Sequence, residues 1–201
     1  LKKLGVLASH RGSNFQAILD ACSDGRLTAT VVIAISNNSQ CEALVRAHRS
    51  GIETQHISAM THPSEMQRDD AIKNALVDAG VDLVVTAGYM KKLGPKTLKE
   101  FEARIINVHP SLLPKYGGQG MYGDRVHSAV LANGDAESGL TVHLVDSEYD
   151  TGTILSQRRV PVLANDSVET LSGRVIKEEH DLLVHTLIDL VARLNATSLD
   201  K

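Results

Sequence analysis

The 201-residue sequence predicts a doubly wound, mostly parallel, Rossmann-like α/β sheet with helices on both faces. Three observations carry that expectation. Apolar runs such as Thr30–Ile35 and Val81–Gly88 lack polar alternation, the mark of strands covered on both sides. Between them lie segments whose apolar residues recur every three or four positions, as in helices packed by one face. Turns rich in Gly, Asn or Ser separate the two kinds of segment. Nothing suggests a repeat or a second compositional block, so one domain over 1–201 is the simplest organisation.

In chain order, Lys3–Ala8 is the first strand. Ser9-His10-Arg11-Gly12-Ser13-Asn14 then leads into a helix with Phe15, Ala17, Ile18, Leu19 and Cys22 on its apolar face, ending near Gly25. Strand, glycine turn and helix form the layout in which a helix N-terminus receives an anion. Gly12 permits close backbone approach, Ser13 and Asn14 offer donors, and Arg11 adds a cation. The same residues also read as a plain N-cap, because the loop matches neither G-x-G-x-x-G nor a Walker motif. Thr30–Ile35 is the second strand, Cys41–Arg49 a helix closed by Gly51, and Thr54–Ile57 a short third strand. Ser64 caps the next helix. Val81–Gly88 is the fourth strand, and Pro95 starts a short helix after the Tyr89–Leu93 connection.

Arg104–Val108 reads as a buried fifth strand ending at His109, because Pro110 disfavours continuation. Asn107 and His109 are two apart and so share a face of the pleated strand. An amide donor beside an imidazole suits acyl transfer, which needs an oxyanion donor and a general acid/base near neutrality. The alternative is a capped strand end with a hydrogen-bonded histidine. Lys115–Gly123 holds four glycines in nine residues and reads as a lid beside this strand end. Asp124 is placed to cap a helix carrying Val126, Ala129, Val130 and Leu131, which ends at Asn133-Gly134.

Ser138–Val145 and Thr153–Val160 are the remaining strands, flanking the acidic loop Asp146-Ser147-Glu148-Tyr149-Asp150. Its carboxylates read as solvated or as cation ligands, although they complete no EF-hand pattern. His143, in mid-strand, reads as structural. Ser167 caps a last helix whose apolar face is Val168, Leu171, Val175, Leu182, Leu183, Leu187 and Val191. Glu179 on that helix reads by residue type as a surface acid, and Ala196–Lys201 as a polar tail.

Composition narrows the function classes. Four tyrosines, two phenylalanines and no tryptophan leave the core to Val, Leu, Ile and Ala. A net charge of −3 carries no electrostatic footprint for nucleic acid. No apolar run approaches the roughly 20 residues that span a bilayer, and no signal peptide is visible, so no membrane partner is expected. Cys22 and Cys41 lack metal-ligand spacing and read as small core residues of a reducing, cytoplasmic compartment.

Asn107-x-His109-Pro110-Ser111-Leu112-Leu113-Pro114 resembles the signature of the folate-dependent formyltransferases, and the similarity runs from about Leu4 to His180. The resemblance implies the formyltransferase fold. It also implies transfer of a formyl group from the co-substrate 10-formyltetrahydrofolate to the amine of glycinamide ribonucleotide in purine synthesis, without a metal. Under it, Asn107, His109 and Asp150 are catalytic, with the Asp150 carboxylate keeping the His109 pKa high and the imidazole protonated, and Gly12, Ser13 and Asn14 hold the ribonucleotide phosphate. Glu179 lies near the amine. Met90, Lys91, Lys92, Leu93, Asn107 and the loop Asp146, Ser147, Glu148, Tyr149 and Asp150 form the folate site, with Lys96 and Lys99 adding charge for an anionic tail. The expected partners are those two small molecules, with the chain a monomer or homodimer. The sequence departs from its relatives at His10, where glycine is common, and at Glu65, where an arginine is common and Arg68 lies one turn on. Relatives that hydrolyse formyltetrahydrofolate, relatives that formylate methionyl-tRNA and a catalytically silent folate or nucleotide binder remain alternatives.

Overall fold

Five strands run parallel: β1 (Lys2–Leu7), β2 (Ala29–Ser36), β3 (Glu53–His56), β4 (Leu83–Thr86) and β5 (Ile105–His109). Strands β6 (Glu137–Leu144) and β7 (Ile154–Pro161) are antiparallel additions, and the order is β3-β2-β1-β4-β5-β6-β7. The computed structural model describes residues 1–196; residues 197–201, where the polar tail was expected, lie outside them. The antiparallel pairing of β6 with β7 follows from chain length, since the loop joining them is shorter than the dozen or so residues that a parallel crossover needs.

Alternation along the strands divides the core into two layers. Leu4, Val6, Leu83, Val85, Ile106 and Val108 face α1 (Ser13–Ser23), α2 (Glu42–Arg49), α5 (Asp124–Ala132) and α6 (Val168–Ala196). Leu7, Val84 and Ile105 face α3 (Glu65–Asp78) and α4 (Pro95–Glu100). Gly5 is the smallest residue possible against α3, because a Cβ there would lie 2.5 Å from Leu76 Cδ2. With helices on both faces, the strand order reverses between β1 and β4, the switch point at which such sheets open a ligand crevice beyond their carboxyl ends.

Two local expectations are corrected. The fourth strand is four residues rather than eight, because Gly88 turns to φ 74° and the chain leaves the ladder for the crevice. Asp124 is the first residue of α5 and not its cap; Gly123, at φ 51°, holds that position and no side chain caps the helix. Ser64 does cap α3, with Gln67 completing a capping box. Ser167 Oγ accepts from the Thr170 N–H (3.2 Å) at the start of α6.

The β4–α4 connection is held from a distance. Buried Asp69 of α3 accepts from the N–H groups of Lys96 (2.8 Å) and Thr97 (2.9 Å) and from Thr97 Oγ1 (2.6 Å), supplying α4 with the cap that Gly94 lacks. A Cβ on Gly94 would lie 2.3 Å from Asp69 Cγ. Asp69→Ala is expected to lower unfolding free energy by about 2–3 kcal/mol in urea titrations, because it strands buried donors.

Candidate active site

Three loops meet at the switch point. Met90 N–H donates to Ser9 Oγ (2.8 Å), and Ser9 Oγ donates to Asn37, tying the ends of β4, β1 and β2 together. Above them lies a cleft of about 550 Å³. Its walls include His10–Asn14 at the head of α1, Ala87–Met90 after β4, Asn107–Pro110 on β5, and the glycine loop from Gly118 to Gly123. Tyr149, Asp150 and Glu179 also line it.

Asn107 is oriented at both ends of its amide. Thr86 Oγ1 donates to its Oδ1 (2.8 Å), and its Nδ2 donates to His143 Nε2 (3.1 Å). His143 Nδ1–H donates to the Leu144 carbonyl (2.8 Å), which leaves Nε2 as the acceptor. One hydrogen of Asn107 Nδ2 therefore remains free on a cleft-lining residue.

His109 is 4% exposed. Its Nε2–H donates to the Tyr116 carbonyl (2.8 Å), and Nδ1 stands 3.5 Å from Asp150 Oδ2. Asp150 Oδ1 is likewise 3.5 Å from His143 Nε2, and Oδ2 accepts from the Gly118 N–H (2.9 Å). Burial pushes the Asp150 carboxyl up, but His143, His109 and the Gly118 N–H more than offset it and hold the pKa below 3.8. One expectation fails here. The carboxylate was expected to keep His109 readily protonated, yet burial outweighs Asp150 and the Tyr116 hydrogen bond, and the imidazole pKa falls below 6.5. His109 rests neutral.

The backbone under Asp150 is unusual. Asp150 adopts φ 59°, a left-handed conformation that disfavours side chains. Gly152 follows because a Cβ there would lie 1.8 Å from the Leu144 carbonyl oxygen. The Asp-x-Gly spacing is thus the condition for folding this loop down onto β6.

At the other end, Gly12 (φ 71°) packs so close to α2 that a Cβ would lie 2.8 Å from Ala43 Cβ. It is the N-cap of α1 and offers no side-chain cap, leaving first-turn N–H groups directed at the cleft. Asn14 departs from its expected role. Its Nδ2 donates to Glu179 Oε2 (2.9 Å), which turns the amide toward α6 and leaves the backbone N–H as its donor at the open helix end. Glu179 is no surface acid: it is 7% exposed, and burial, only partly opposed by Asn14, pushes its pKa up to about 7.

The folate expectations divide. Met90, Asn107, Tyr149 and Asp150 line the cleft. Lys91, Lys92 and Ser147 are exposed, and Lys92 Nζ sits 3.5 Å from Glu148 Oε2 and 5.7 Å from the centre of the Tyr149 ring. Asp146 organises its own loop by accepting from Glu148 N–H and Thr151 Oγ1. Leu93 is buried in the α3–α4 layer. Lys96 pairs with Asp70 (2.7 Å), and Arg68 donates to the His62 and Pro63 carbonyls, so neither reaches the cleft wall. Among the described residues, no group of three or more His, Cys, Asp or Glu side chains is placed to hold a metal ion.

A formyl transferase family profile matches residues 2–187. The chain belongs to the formyl transferase family. It is 43% identical over 187 residues to the chloroplastic phosphoribosylglycinamide formyltransferase of Arabidopsis thaliana, covering 92% of this chain and 64% of that protein. It therefore spans under two thirds of that relative. It is 40% identical over 182 residues to the phosphoribosylglycinamide formyltransferase of Haemophilus influenzae, covering 90% of this chain and 84% of that one. The crystal structure of glycinamide ribonucleotide transformylase 1 from Symbiobacterium toebii superposes with a TM-score of 0.88 at 38% identity, covering 94% of this chain and 86% of that one. His10, at which the resemblance led one to expect glycine, is not among the residues with positive φ, so it brings no left-handed strain to the loop.

Thr86, His127 and the Tyr116 carbonyl join the site without any local pattern that marks them, and His143 does more there than support its strand. Glu179 left a signal: Leu171, Val175, Glu179, Leu183 and Leu187 recur every four residues, so the acid lies on the buried stripe. Its raised pKa fixes a pH dependence. The folded chain holds this proton more tightly than the unfolded chain, whose glutamate titrates near 4.5, so its contribution to stability falls as pH rises from about 4.5 through 7. In urea unfolding across that range, wild type is expected to lose stability relative to Glu179→Gln, with the difference levelling off above pH 7.

Proposed function

We propose that this chain transfers the formyl group of 10-formyltetrahydrofolate to the amine of glycinamide ribonucleotide. The observation that carries the reading is the convergence of Asn107, His109 and Asp150 in a cleft that also takes in the open N-terminus of α1. One end suits a phosphate and the other acyl transfer. The named activity of the relatives supports the same assignment.

In this reading, the phosphate docks on the Gly12–Asn14 backbone with Arg11 nearby, and Glu179 faces the amine. The amine nitrogen bonds to the formyl carbon, and the oxyanion takes the free Asn107 Nδ2 hydrogen. Resting His109 carries its lone pair on Nδ1, where it accepts the proton leaving the amine. The imidazolium then stands against Asp150, which stabilises the charge as it forms and adds to the field on the oxyanion. The bond between formyl carbon and folate nitrogen breaks, and that nitrogen takes the proton from His109. The partners are the two small molecules, the chain works in the cytosol as a monomer or homodimer, and neither nucleic acid nor membrane takes part.

The purified chain, mixed with 10-formyltetrahydrofolate, is expected to lose the folate's formyl group only when glycinamide ribonucleotide is present, followed by absorbance. Turnover without the ribonucleotide would instead identify a hydrolase. His109→Ala is expected to lower kcat by about two to four orders of magnitude. Near-normal turnover in that variant would contradict the assignment.

A further inference from the structure

His127 lies in the first turns of α5 and lines the cleft while being 1% exposed. Its Nδ1 is fully buried and has no hydrogen-bond partner. Leaving a buried polar atom unpaired is costly, and because this ring stands on the cleft wall it is open to a partner that enters the cleft. The chain makes room for that approach. Gly118, Gly120 and Gly123 all take positive φ (95°, 86° and 51°), carrying the loop over the cleft and setting the head of α5 against it.

The charge state narrows the ligand chemistry. Burial drives the imidazole below its ordinary pKa; Asp124 opposes this and His109 adds to it. A neutral imidazole has one donor and one acceptor and suits a hydroxyl or amide, which can also donate and accept. It is a poor partner for a phosphate. The charged phosphate end already has the α1 N-terminus and Arg11, and the reacting end has Asn107, His109, Asp150 and Glu179. What remains is the uncharged middle of the acceptor.

We propose that His127 is a substrate-contacting specificity residue that hydrogen-bonds the hydroxyl or amide groups between the phosphate and the amine of the acceptor. The inference rests on the formyl-transfer reading above. Loss of the contact falls on acceptor binding and leaves the folate side alone. It also leaves the fold intact, because a hydrophobic side chain in place of an unpaired buried ring removes a desolvation cost.

Calorimetric titration of glycinamide ribonucleotide into wild type, His127→Leu and His127→Asn, with steady-state kinetics and thermal unfolding of each, tests this. His127→Leu is expected to weaken ribonucleotide binding about tenfold or more, to leave KM for 10-formyltetrahydrofolate unchanged and to unfold at or above the wild-type temperature. His127→Asn is expected to recover part of the affinity. Unchanged ribonucleotide affinity in His127→Leu, or a lowered Tm with equal losses toward both substrates, would overturn the inference. A wild type that binds the ribonucleotide without transferring formyl would contradict the formyl-transfer reading instead.

Discussion

A histidine buried deeply enough to stay neutral, beside a carboxylate that stabilises it once charged, is the constraint on which this site depends. Two opposing effects act on His109: desolvation lowers its pKa, and Asp150 at 3.5 Å raises it. Desolvation wins at rest, so the imidazole is free to accept a proton. The carboxylate's influence is then felt mainly as charge develops. Much of the surrounding structure holds this balance. Tyr116, itself at φ 56°, fixes the ring through its carbonyl; Gly118 N–H fixes Asp150; and the contact of Gly152 with Leu144 brings the acidic loop down onto β6.

The cleft carries a second titrating acid at its other end, and the two ends follow opposite logic. Asp150 is held ionised by several neighbours, whereas Glu179 has one hydrogen-bond partner, Asn14, and little solvent. Near neutrality Glu179 is poised between its two forms. An incoming amine would favour the ionised form, so binding at this end and proton position are linked. The α1 N-terminus, Glu179 and the β5 constellation thus line one cleft, which under the proposed function runs from the phosphate to the reacting groups.

The alternation of apolar runs with amphipathic segments was enough to place β1 through β5 and every helix, because burial on both faces imposes period and composition locally. The two-residue spacing of Asn107 and His109 revealed a shared face for the same reason. Distant pairings were not legible. Asp69 capping α4 from α3, Asn14 meeting Glu179 across 165 positions, and His143 reaching Asn107 are products of topology, invisible to any window. The neutrality of His109 was misjudged because a sequence displays the neighbouring carboxylate but not how completely the ring is withdrawn from water. His127 carries no local signal of a site, although it sits beside Val126 on the buried side of α5.

Titration of the His109 ring nitrogens by ¹⁵N NMR, in wild type and in Asp150→Asn, addresses the central balance most directly. The expected result is a wild-type pKa below 6.5, the proton of the neutral ring on Nε2, and a further fall when the carboxylate charge is removed. A pKa above 6.5, or one that Asp150→Asn leaves unmoved, would contradict it.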